Sequence, residues 1–230
     1  CNFLENAEGV NSCIESAYMT LVSLVRFSNI TKARGVSALF PDEYDESICV
    51  PENSIKEGAK LYANRVTAEL EAWPRNARIL EIGVASGRHA VSIVNNLSPG
   101  LFHGVDISLS QMTPECKDSF GKLRHEIELV FFSGDSLEFL RQQKQAQIRY
   151  DVIYIDASHW YASVSGELAL ACSLLSSGGR IVLNDYQNWF VDAMEPCGVI
   201  KAVNEFLCKH SEWKIDYFAL NDCDISLVKI

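Results

Sequence analysis

A chain of 230 residues with 48% hydrophobic and 22% charged residues holds enough apolar material for a buried core, which excludes intrinsic disorder. Its 30 acidic residues against 20 basic ones give a formal charge of −10, which speaks against a general nucleic-acid binder, whose affinity comes from neutralising phosphates. The eight cysteines form no C-x-x-C pair and no His/Cys zinc-finger spacing, so a reduced, intracellular and cytoplasmic protein is expected.

In chain order, Val10, Ile14, Ala17, Leu21, Leu24 and Val25 recur at helical spacing. The stretch from Ser12 to Ile30 is apolar, but Glu15 interrupts it and Arg26 sits near its end. No run approaches the roughly 18 apolar residues of a membrane span, so no membrane partner is expected. A start on Cys1 rather than Met suggests that upstream residues are missing. After a loop around "FPDEYDESICVPENS", the segment "IKEGAKLYANRVTAELEAW" reads as a second helix stopped by Pro74. Residues 1–75 are therefore expected to form a helical cap or lid, and residues 76–230 a second unit.

From Arg78 the texture changes to short β-rich runs: "RILEIG", "LFHGVDI", "IELVFFSG", "DVIYIDA" and "RIVLND". Helix-length intervals separate them, which predicts βαβ units and a parallel sheet. The last two runs, "KIDYFAL" and "CDISLVKI", are separated only by Asn221 and Asp222 and predict an antiparallel hairpin. The expected fold is α/β and Rossmann-like, with seven mostly parallel strands.

Ligands of open α/β sheets bind at the carboxyl ends of the strands. The first of these ends is "EIGVASG", with Glu81, Gly83, Ala85, Ser86 and Gly87 at a strand-to-helix turn where small residues admit a ligand. Such a turn also uses glycine simply to turn. The second ends on Asp106 and Ile107, where Asp106 can accept from both hydroxyls of a ribose or cap the following helix. The third ends on Gly134, Asp135 and Ser136; Asp135 can accept from an adenine amino group, or both polar residues can act as caps.

These pieces, with "LLSSGGRIVLND" later in the chain, resemble the class I S-adenosylmethionine-dependent methyltransferases over residues 55 to 230. "GDSLEFL" and "DVIYIDASHWYASVSGELALACSLLSSGGRIVLNDY" are most similar to the small-molecule group containing macrolide sugar O-methyltransferases and cephalosporin-biosynthesis-like proteins. Ala85, where the general pattern has glycine, is a departure. In the strand order this resemblance implies, Asp156 lies beside Asn184 and Asp185, an all-oxygen set suited to Mg²⁺ or another divalent cation. The macrolide-type enzymes carry an acidic pair where this chain has Asn184-Asp185.

The resemblance also implies that His159, three residues past Asp156, accepts the proton of a substrate hydroxyl as its oxygen attacks the sulfonium methyl. The plainer readings are that His159 caps the next helix and Asp156 anchors its loop. Trp160, Tyr161, Tyr186 and Trp189 follow the same two strands as candidate substrate walls or ordinary core residues. His89, His103, His125 and His210 read as structural or exposed. The expected activity is methyl transfer from S-adenosylmethionine to a hydroxyl of a small molecule, with a homo-oligomer left open. The alternatives are a metal-independent N- or carboxyl-methyltransferase, a hydroxylase-like or aminopropyltransferase-type enzyme, and a non-catalytic binding protein of the same fold.

Overall fold

The computed structural model describes residues 59–123, 127–187 and 195–230, with Glu43, Val50, Ser54 and the backbone of residues 189–190; residues 195–196 are likewise described in backbone only. The helical pattern over residues 10–25 and the lid expected of it lie outside the described residues, as does His125. Among the described residues, no helix is long and apolar enough to cross a membrane.

The strands are β1 (Lys60–Tyr62), β2 (Arg78–Ile82), β3 (Leu101–Asp106), β4 (Glu128–Ser133), β5 (Tyr150–Ile155), β6 (Leu175–Leu183), β7 (Trp189–Phe190), β8 (Glu195–Pro196), β9 (Trp213–Ala219) and β10 (Asp224–Lys229). The helices are α1 (Arg65–Ala72), α2 (Arg88–Leu97), α3 (Pro114–Leu123), α4 (Ser136–Gln145), α5 (Tyr161–Ala171) and α6 (Val199–Lys209). Eight strands form one sheet in the order β1-β9-β10-β6-β5-β2-β3-β4. β4, β3, β2, β5 and β6 run parallel, and β10 inserts antiparallel between β6 and β9. The antiparallel β9–β10 hairpin agrees with the sequence expectation, and the structure adds that β10 enters between β6 and β9.

β2 and β5 are near-continuous apolar runs because helices cover both of their faces. One apolar layer joins the sheet to Leu140 of α4, Leu168 of α5 and Val203 of α6; the other joins it to Ala68 of α1, Ile93 of α2 and Phe120 of α3. The sheet thus buries Ile79, Leu80, Ile153 and Ile181 completely.

Two expectations change. The sheet has eight strands rather than seven, because Lys60–Tyr62 pairs parallel with β9 (Lys60↔Tyr217) where a helix was expected. That helix begins only at Arg65, since Asn64 adopts extended backbone and its side chain accepts from the N–H of Thr67 at 2.9 Å. The expected boundary at 75/76 also falls inside a packed layer. Trp73 donates through Nε1 to the Tyr217 hydroxyl (2.9 Å), and Arg65 pairs with Asp224 of β10 (2.9 Å).

Candidate active site

A cavity of about 510 Å³ opens at the carboxyl ends of β2, β3, β4 and β5. Gly83 adopts φ +94°, and a Cβ there would stand 1.8 Å from the Asp156 carbonyl oxygen, so only glycine lets the turn after β2 touch the end of β5. Ala85 takes the left-handed conformation (φ 44°) that the family pattern gives to glycine. Its N–H donates to Asp106 Oδ2 (2.8 Å), while the Ser108 N–H donates to Oδ1 (2.9 Å). Asp106 therefore braces the glycine loop, and each carboxylate oxygen retains capacity for a further hydrogen bond at the cavity it lines. Gly83, Ala85, Asp106, Ile107, Gly134, Asp135, Ser136 and Asp156 are brought together around this one cavity. Ile107, 75% exposed, offers it a bare apolar surface.

Three expected cofactor residues stand elsewhere. Ser86 and Gly87 turn the chain toward α3: the Ser86 carbonyl accepts from the Thr113 N–H, and Gly87 lies against Met112 and Cys116. Glu81 is buried on the α1–α2 side, where His89 Nδ1 donates to it (2.9 Å) and His89 Nε2 donates to Glu69 (2.6 Å). A buried carboxylate needs such partners, and this one finds them beneath the loop rather than in the cavity. His89, which lacked a visible carboxylate partner in the sequence, is raised to about 10 by its two glutamates against the opposing effect of burial. Burial in turn pushes Glu81 upward.

The second cluster sits at the cavity edge. One donor atom each from Asp156, His159 and Asp185 lies within 4.8 Å of the others. His159 Nε2 is 3.0 Å from Asp185 Oδ2 and 3.7 Å from Asp156 Oδ1. Burial opposes the charge on His159, but the two carboxylates outweigh it and bring the imidazole to about 9. Asp185 is held in left-handed backbone (φ 55°), a conformation that aspartate tolerates and that recurs at functional sites.

The Asn184 amide nitrogen donates toward β10, to the Asp222 carbonyl and to Asp224 Oδ1 (2.8 Å each). His159 adds a nitrogen beside Asp156 and Asp185, so the group brought together includes a nitrogen as well as oxygens.

Of the candidate substrate walls, Trp160 is 40% exposed at the start of α5. Tyr161 donates through its hydroxyl to Glu205 (2.9 Å), and Tyr186 through its own to Asn204 (2.7 Å), so both ring ends are engaged with α6. The Trp189 side chain lies outside the described residues. His103 is buried against the Tyr150 hydroxyl (2.6 Å), as its structural reading predicts. The cavity also takes Gln111, Ser158, Ser163 and Glu167, which the sequence reading did not single out. The available signal was the four-residue spacing of Ser163 and Glu167, one turn apart on the helix that follows Asp156.

Residues 80–186 match the family model described as "Methyltransferase domain". No curated protein matches the chain. Among solved structures, the O-methyltransferase from Bacillus cereus in complex with SAH aligns with a TM-score of 0.56 at 16% identity, covering 88% of this chain and 91% of that one. TomG from Streptomyces achromogenes, an O-methyltransferase involved in tomaymycin synthesis and bound to SAM, aligns at 0.52 and 16%, covering 88% and 89%. The ribosomal protein L11 methylase from Lactobacillus delbrueckii subsp. bulgaricus aligns at 0.50 and 13%, covering 71% and 76%. At these identities the shared property is the fold, which serves enzymes as different as an O-methyltransferase of tomaymycin synthesis and a ribosomal protein methylase. Residues 80–186 therefore match a methyltransferase domain, and the sheet order gives the described region the fold that these solved structures share.

Proposed function

We propose that the chain transfers the methyl group of S-adenosylmethionine to a hydroxyl oxygen of a small molecule. The observation that carries this reading is that Asp156 belongs both to the cofactor cavity and to the His159–Asp185 cluster. The donor nucleoside and a proton-accepting group would thus share one wall. Asp106 would bind the ribose hydroxyls, with Ile107 against the base. His159 would receive the hydroxyl proton at Nε2 as the acceptor oxygen attacks the methyl carbon and the sulfur departs with its bonding pair. It does so in the neutral form, which needs alkaline pH or a cation beside it because its carboxylates bring it to about 9. Trp160 would stand at the acceptor mouth.

The Asp156 and Asp185 carboxylates offer oxygens that fit a hard divalent cation such as Mg²⁺ or Mn²⁺, with His159 beside them kept for the proton. Asp156 and Asp185 would hold it. Such a cation, when bound, supplies charge that acidifies an acceptor hydroxyl and lowers the proton affinity of His159. A metal-independent methyl transfer is the second reading. It is favoured by the 3.0 Å pair between His159 and Asp185, which partly neutralises the site without any cation.

Calorimetric titration of S-adenosylmethionine and S-adenosylhomocysteine, with Mg²⁺, Mn²⁺ or chelator, tests both. Cofactor binding with a metal heat that vanishes in Asp185→Asn supports the metal-assisted reading. Cofactor binding with no metal heat selects the metal-independent one, and absence of cofactor binding overturns both.

A further inference from the structure

The cofactor cavity contains an acid to which neither the sequence reading nor the comparisons give a role. Glu167 projects from the middle of α5, is only 2% exposed, and lines the cavity together with Ser163 one turn earlier. Its Oε1 accepts from the Ser136 hydroxyl at 2.5 Å. Its Oε2 is buried and has no hydrogen-bond partner among the described residues. Leaving a buried carboxylate oxygen unsatisfied is costly, and a ligand donor would remove that cost.

Asp135, the expected reader of the adenine amino group, is placed differently. Its Oδ1 accepts from the Glu138 N–H (2.8 Å) and caps α4. Glu167 lies behind Ser136 on the next helix, and Leu137 and Val105 line the same cavity. An adenine ring is a flat apolar plate whose 6-amino group is the hydrogen-bond donor of its Watson–Crick edge. An unpartnered carboxylate oxygen on a residue lining a cavity that Val105 and Leu137 also line is the complement of that edge.

We infer that Glu167, oriented by Ser136, accepts a hydrogen bond from the 6-amino group of the cofactor's adenine and makes the site selective against 6-oxo purines. The inference rests on the cofactor reading above. Burial raises the Glu167 carboxyl to about 7, with nearby Asp135 acting in the same direction and His159 against it. The acceptor form is therefore the one present above neutral pH.

The test is calorimetric titration at about pH 8 of S-adenosylhomocysteine and of S-inosylhomocysteine, its 6-oxo analogue. Wild-type protein is expected to prefer the adenosyl compound by at least about tenfold, since a site built to bind a donor rejects the analogue lacking it. Glu167→Gln, whose carboxamide can present either edge, is expected to cut that ratio by about tenfold. Glu167→Leu is expected to bring it near one while weakening S-adenosylhomocysteine. Thermal melting establishes whether the leucine variant folds; if it does not, the ratio in the glutamine variant decides. An unchanged ratio in the folded variants overturns the role of Glu167 and leaves the methyltransferase reading intact. If wild-type protein binds neither compound, the cofactor reading itself falls.

Discussion

Two histidines in this molecule each stand between two carboxylates, and their surroundings give them different work. His89 bridges Glu69 and Glu81 beneath the glycine loop, with both glutamates sealed from solvent. Around it the Tyr154 ring packs at 4.5 Å, and Arg65, Asp224 and Asn184 extend the polar network across the sheet. His159 lies between Asp156 and Asp185 at the rim of the cavity, in contact with a carboxylate that also faces the cofactor space. The same trio of groups is a clamp where it is closed, and where it borders a cleft it is the proposed reaction centre. A raised pKa and a mostly buried imidazole are common to both; what differs is the carboxylates, sealed around His89 but 27% and 12% exposed around His159.

That contrast can be broken most sharply at the rim. His159→Ala is expected to lower methyl-transfer turnover by about 10²–10⁴-fold, the range of general acid–base contributions, with S-adenosylhomocysteine affinity nearly unchanged. Single-turnover kinetics beside calorimetry reads the split, and full turnover across all pH values would make His159 structural. His89→Ala is expected to act on stability instead. It should cost about 3 kcal/mol in urea unfolding, because two buried carboxylates lose their shared partner.

The pH dependence of that clamp has a defined sign. Folding raises His89 from 6.5 to about 10, so its stabilisation is fully present below pH 6.5 and is lost as pH rises through 10. Glu81, also raised, makes stability fall in the same direction as pH increases. Wild-type stability should therefore decline between neutral and alkaline pH, and most of that slope should be missing from His89→Gln. A slope of the same size in the variant would place its origin elsewhere.

Smaller effects belong to the cofactor wall. Asp106→Ala is expected to weaken S-adenosylhomocysteine by about tenfold, the scale of lost hydrogen bonds to a charged acceptor. Part of this would come from the Ala85 loop losing its brace. Ile107→Ala, at an exposed position, should cost about threefold in affinity through lost apolar contact and leave the melting temperature unmoved. A large thermal shift in either variant would show that the cavity wall supports the fold as well as the ligand.

Much of this arrangement was legible in the chain. The alternation of β-rich runs with helical intervals specifies the parallel sheet, because each run must be buried on both faces while its connections cross over. The two-residue gap at Asn221-Asp222 specifies the reversed final strand, and the strand ends at Gly83, Asp106, Asp135 and Asp156 specify where a nucleoside can sit. Local order sufficed for these because a strand's carboxyl end is defined by the strand itself. What the tertiary structure alone decided is where the side chains near those ends turn and with whom they pair. Glu81 faces inward to His89, the Asn184 amide nitrogen donates toward β10, and His159 comes to lie between Asp156 and Asp185. Lys60–Tyr62 becomes a strand only because the edge of β9, some 150 residues later, is there to pair with it. Glu167 enters the cavity because α5 packs against α4. These outcomes depend on partners distant in sequence, and the energy of pairing a buried polar group outweighs any preference its neighbours express.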